Sequence, residues 1–170
     1  MPPTKLAATA LAVLLAITPA FASNSDTVAF SQEDGKHFTV DGTPTFYVAE
    51  DGTVDWYTFS GFRRYHSECH VCHGPDGMGS TYAPPLKDAV MALDYWEFIG
   101  VVAAGIQNVD ASHENVMPSF GLNKNVMCYV DDIWIYLRAR GAGAIDRGRP
   151  AKRADRPESF AEHERACMGG

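Results

Sequence analysis

At 170 residues and 46% hydrophobic content, the chain is long enough for one domain with a real core and too short for two ordinary ones. Its formal net charge of −7, from 14 Lys and Arg against 21 Asp and Glu, argues against nucleic acid as a partner, because a polyanion binder needs a basic face.

Residues 1–22 hold a lone Lys5, an apolar stretch from Leu6 to Ile17, Pro19 and the small-x-small trio Ala20-Phe21-Ala22. This pattern predicts a secretory signal peptide cut after Ala22. The apolar run is short for a bilayer span and no later stretch is suited to one. The mature chain is therefore expected in the periplasm, without stable membrane insertion.

Residues 23–57 form an N-terminal extension in which short β-type runs, 37–40 and 45–48, are punctuated by Asp-Gly pairs at Asp34-Gly35, Asp41-Gly42 and Asp51-Gly52. Such punctuation predicts a small, irregular, β-hairpin-like unit packed on the domain. The stretch is acidic, with Asp26, Glu33, Asp34, Asp41, Glu50, Asp51 and Asp55 set against Lys36.

Residues 58–141 carry the helical signals. Ser60 is placed to cap a first helix in which Phe62, Tyr65, Cys69 and Cys72 recur every three or four positions, which puts both cysteines on the inward face. A glycine- and proline-rich loop follows, and then Asp94 with Glu97 forms a capping-box pattern opening a second helix that ends near Gly105. A further loop leads to a last helix with the apolar stripe Val126, Tyr129 or Val130, Ile133, Trp134 and Leu137. Asp131 and Asp132 fall on its other face, and Arg138 and Arg140 sit at the C-terminal end, where cations suit the helix dipole. Residues 142–170 are polar, charged and poor in periodicity, which predicts an extended tail.

The chemistry lies in Cys69-His70-Val71-Cys72-His73. C-x-x-C-H is the pattern of c-type haem attachment: both thiols add across the haem vinyl groups, and the next residue turns its imidazole onto the iron. A closed zinc site wants four ligands and usually a second paired knuckle, which is missing here. A thioredoxin-like couple wants a βαβ setting, whereas this pair sits at the end of a helix before a glycine loop. The expected cofactor is one covalent haem c, with iron as its metal.

One imidazole leaves the sixth iron position to be filled. Met117 stands in a loop between two predicted helices, and Pro118 keeps the backbone extended beside it, so its thioether is the expected second axial ligand. His113, four residues earlier, is the runner-up. Met78, Met91 and Met127 read as packing, and His37, His66, His70 and His163 as exposed histidines. The other ring N–H of His73 needs an acceptor to fix its orientation, and the Pro84 carbonyl is the expected one. Tyr65, Phe98, Trp134 and Tyr136 are expected to wall the cofactor or the helix crossing.

These segments together resemble a class I c-type cytochrome: "GFRRYHSECHVCHG", "APPL", "VMPSF" and the helix ending "YLRAR" match that family's first helix, haem motif, proline loop, methionine loop and last helix. The resemblance covers about residues 61–140 and implies a small all-α fold in which the first and last helices cross with one haem held between them. A narrower likeness joins the pre-haem extension, "NVMCYVDDIWIYL" and the four cysteines to the methanol-metabolism-related cytochromes c found with PQQ-dependent alcohol dehydrogenases. It implies such a periplasmic dehydrogenase as electron donor and a downstream cytochrome or terminal oxidase as acceptor. In an oxidising compartment Cys128 and Cys167 are candidates for a disulfide; the other reading makes Cys128 a small buried hydrophobe and Cys167 a mobile thiol.

The expected function is single-electron transfer with no catalytic residues. The competing one is a mono-haem, peroxidase-like enzyme with a displaceable sixth ligand, supported only by His113 and Glu114 beside Met117. A haem-based sensor ranks last, since no signalling module is attached.

Overall fold

The computed structural model describes residues 27–109 and 114–169. The expected signal peptide and His113 lie outside the described residues. Within them the architecture is mainly helical, with a small stranded region at the N-terminal end.

β1 (Ser31–Glu33), β2 (Lys36–Phe38) and β3 (Pro44–Thr45) form an antiparallel sheet in that order. The β1–β2 turn is Asp34-Gly35, both in the left-handed region at φ 46° and 76°, as a two-residue hairpin turn demands. The extension is joined to the core by the Trp134 indole N–H, which donates to the Pro44 carbonyl at 3.0 Å.

α1 (Trp56–Glu68) begins earlier than the Ser60 cap predicts. Its N-cap is Asp55, whose carboxylate accepts from the Thr58 backbone N–H at 2.8 Å and the Thr58 hydroxyl at 2.5 Å. Ser60 instead lies inside the helix and donates to Asp132 at 2.6 Å. After α2 (His70–His73) come a 3₁₀ turn (Pro75–Gly77), α3 (Leu86–Ala89) and α4 (Tyr95–Ala104). The Asp94/Glu97 capping box opens α4 as expected. β4 (Ile106–Val109) and β5 (Glu114–Met117) form a two-stranded ribbon where a loop was expected.

α5 (Lys124–Met127) leads into α6 (Val130–Gly141), which crosses α1 in the most extensive helix pairing of the fold. The crossing is close because Gly61 has no side chain: a Cβ there would lie 1.8 Å from the Asp132 carbonyl oxygen. Aromatic rings fill the space beside it, with Tyr65 and Tyr136 fully buried and their ring centres 5.6 Å apart.

One expectation about α6 is corrected, while Arg138 and Arg140 do lie in its last turn. Asp132 is buried, 4% exposed, because α6 is covered on nearly every side rather than along one stripe. Arg138 and Arg140 are buried too, donating to the carbonyls of Val90 at 2.9 Å and Ile145 at 2.5 Å.

The C-terminal segment is also not the extended tail that its composition predicts. Residues 152–154 run beside Val54, which donates to the Lys152 carbonyl at 3.2 Å and accepts from the Ala154 N–H at 2.8 Å. α7 (Glu158–Met168) then packs back on the domain. Phe160 inserts among Trp56, Tyr57 and Tyr129, and a Cys128–Cys167 disulfide joins α7 to the α5–α6 junction. Glu164 accepts from Arg64 at 3.1 Å and also from Tyr129 and Arg156.

Candidate functional site

α1 stops at Glu68, and Cys69 starts a new single turn: the N–H groups of Cys72 and His73 donate to its carbonyl at 3.3 and 3.0 Å. The two cysteines differ in exposure, where the helical spacing predicts both facing inward. Cys69 is half-buried against the core, and Cys72 is exposed. Both are free thiols. Burial pushes the Cys69 thiol up to about 12, with the Glu68 carboxylate and Cys72 adding to the effect.

His73 is 8% exposed, and its Nδ1 lies 3.1 Å from the Pro84 carbonyl oxygen. A carbonyl only accepts, so Nδ1 carries the proton and Nε2 keeps the lone pair, which is the tautomer a metal ligand requires. The segment after His73 is fixed from behind by Tyr65. Its hydroxyl donates to the Gly74 carbonyl at 2.6 Å and accepts from the Gly77 N–H at 3.0 Å, and burial pushes its pKa above the ordinary tyrosine range.

Asp76 is a second anchor that the sequence reading missed. It is 5% exposed with φ 60°, a left-handed geometry that Asp tolerates better than most residues. Burial pushes its carboxyl up, but the Gly148 N–H at 3.0 Å, the Arg147 guanidinium, His66 and the Tyr136 hydroxyl together hold it below the ordinary range. The signal was present as the turn pattern Pro75-Asp76-Gly77, but nothing local names the partners. His66 is accordingly not a free surface histidine: Nδ1 lies 2.8 Å from the Phe62 carbonyl and Nε2 lies 3.4 Å from Asp76 Oδ1.

Met117 ends β5 opposite Ile106, half-buried against the core cluster. Its position is set by α4. Gly105, at φ 74°, lets the chain leave that helix so close to the ribbon that a Cβ there would lie 2.4 Å from the Met117 carbonyl oxygen. Past Met117, the Ser119 hydroxyl donates to the Ala103 carbonyl at 2.6 Å, and the Phe120 and Gly121 N–H groups donate to Val102 and Ala103.

The structure therefore offers two free thiols three residues apart and an imidazole with a fixed tautomer, and it places the Met117 thioether on a separate braced ribbon. Val71, Tyr82, Ile106, Val116 and Leu122, near these groups in the chain, are large apolar side chains left exposed. This chemistry fits haem c. Closed metal centres built from His, Cys, Asp and Glu are not found among the described residues. No helix there is long and apolar enough to cross a membrane.

No family model matches the chain. It is 54% identical over 138 residues to cytochrome c-553I of Paracoccus denitrificans, a match covering 81% of this chain and 61% of that relative's length. It is 34% identical over 100 residues to cytochrome c-555 of Methylococcus capsulatus (Bath), covering 58% of this chain and 75% of the relative. Among solved structures, the c-type cytochrome XoxG of Methylobacterium extorquens AM1 aligns with a TM-score of 0.78 and 57% identity, over 84% of this chain and 87% of that one.

Proposed function

Because this chain belongs to the c-type cytochromes, whose haem c is covalently bound, we propose that it is a periplasmic mono-haem carrier of single electrons. Haem c held here supplies a one-electron iron couple. Cys69 and Cys72 hold it through thioether bonds, so that it stays with the protein through repeated exchange. His73 presents Nε2 to the iron because its Nδ1 proton is committed to Pro84. Met117 would supply the second side-chain ligand; a thioether raises the potential relative to a second imidazole. With His73 and Met117 both committed to the iron, the haem would exchange electrons and would not take a substrate as ligand.

The single observation that carries this reading is the His73–Pro84 contact beside two free thiols. It fixes an imidazole for coordination. The proposed donor is a PQQ-dependent alcohol dehydrogenase, supported by the likeness of the extension and last helix to methanol-metabolism cytochromes. The proposed acceptor is a downstream cytochrome or oxidase.

The test is reduction of the purified haem protein by a candidate quinoprotein alcohol dehydrogenase across a salt series. Fast reduction that slows as salt rises is expected for a charge-steered encounter. Failure with that dehydrogenase, alongside reduction by another periplasmic dehydrogenase, would overturn the donor. Rapid turnover of peroxide would overturn the carrier itself.

A further inference from the structure

The chain is acidic overall, yet its C-terminal segment gathers Arg147, Arg149, Lys152, Arg153 and Arg156 within ten residues, interrupted by Asp155. Three of these are neutralised inside the molecule: Arg147 by Asp76, Lys152 by Asp51 and Arg156 by Glu164. Arg149 and Arg153 are not. Among the described residues neither meets a carboxylate, and neither does exposed Arg63, one turn beyond Phe59 on α1.

Arg149 and Arg153 are held in place by rings instead. The Arg149 guanidinium lies 5.2 Å from the centre of Phe59, and that of Arg153 lies 5.1 Å from Phe59 and 4.9 Å from Trp56. The backbone beneath is pinned by the Val54–Arg153 bridge. We propose that Arg149 and Arg153, held over Phe59, together with Arg63 one turn further along α1, are a docking site for the carboxylate-rich face of a folded partner protein.

Guanidinium forks pair with carboxylates in two-pronged geometry, and guanidinia already positioned on aromatic faces lose little freedom on binding. That pre-positioning suits fixed carboxylates on a folded surface. A fluid lipid surface is served instead by a flexible basic segment beside exposed apolar anchors, and here Trp56 and Phe59 are buried at 7% and 4% exposed. Phe59 precedes Cys69 by ten residues of α1, about 15 Å at the helical rise.

The test measures binding of the haem-loaded protein to a short fluorescent poly-L-glutamate peptide and to vesicles of phosphatidylglycerol or phosphatidylcholine. The peptide is expected to bind at low salt, and the double variant Arg149→Gln, Arg153→Gln to bind about tenfold more weakly. Lys87→Gln with Lys124→Gln, which removes the same charge elsewhere, should change binding less than about twofold. Should the double variant fold poorly, as its visible spectrum and melting would show, Arg63→Gln alone decides, since Arg63 makes no hydrogen bond or ion pair among the described residues; a loss of about threefold is expected. Absence of peptide binding, equal weakening by the control pair, no effect of Arg63→Gln, or preference for phosphatidylglycerol vesicles over the peptide would each overturn the proposal.

Discussion

Gly61 on α1 meets the backbone of Asp132 on α6 with no room for a methyl group, the position of a Cβ falling 1.8 Å from the carbonyl oxygen and 2.7 Å from the Tyr136 Cβ. Both neighbours belong to a buried helix and cannot swing away. Gly61→Ala is expected to lower the stability of the haem protein by about 3 kcal/mol, at the upper end of overpacking costs. Denaturant unfolding checks this; a change under about 1 kcal/mol would show that the crossing can open without strain.

Tyr65 joins the same crossing to the motif. Tyr65→Phe keeps the ring but strands the buried Gly74 carbonyl and Gly77 N–H, which now share its hydroxyl. A loss of about 2 kcal/mol is expected, since each unpaired buried group costs about 1–3 kcal/mol before relaxation. Equal midpoints in urea for the variant and the parent would remove the hydroxyl from the list of anchors.

Asp132, with buried Asp55 raised in the same sense, shapes the pH dependence. Burial, only partly offset by the Ser60 hydroxyl and Lys36, pushes its carboxyl up to about 7. An unfolded aspartate titrates near about 4, so between about 4 and 7 the native protein holds a proton that the unfolded chain has released. The stability from this group is full below that window and gone above it. His37, lowered chiefly by burial, works in the opposite sense nearby, and Asp76, held low, loses its contribution only at acid pH. The difference between the parent and Asp132→Asn isolates the effect: the variant should be more stable by about 1–3 kcal/mol at pH about 8, with the gain shrinking towards pH about 4. A difference that does not change with pH would show that Asp132 stays ionised.

The Cys128–Cys167 disulfide closes a separation of 39 residues. Removing it with serines should cost about 4 kcal/mol in the chain-entropy estimate, and amide exchange should rise first in α7, which depends on it and on Phe160. Unchanged protection of residues 158–168 would mean that the ring contacts alone hold the helix.

What could be read in advance follows how local the chemistry is. Covalent haem attachment requires adjacent residues, so Cys69, Cys72 and His73 stand out as a pattern, and the need of His73 for an acceptor pointed to Pro84. The Asp94/Glu97 box was legible because its partners are three residues apart. α7 was not, because what makes it a helix is remote: Phe160 among Trp56, Tyr57 and Tyr129, and a disulfide to Cys128. Asp132 was assigned to a solvent face because amphipathic reasoning assumes one covered side, whereas α6 is enclosed by α1, α3, α4 and β3. The methionine segment lacks the strong alternation of a strand, and its ribbon is set by its closeness to α4 at Gly105.

The proposed coordination of the iron by His73 and Met117 is tested most directly by the visible spectrum and midpoint potential of the purified haem protein beside Met117→His. The parent should show the far-red sulfur-to-iron charge-transfer band when oxidised. The variant should lose it and fall in potential, because a second imidazole favours the oxidised iron. A parent without the band, or a variant with an unchanged spectrum and potential, would contradict Met117 as a ligand and with it the closed, electron-only centre.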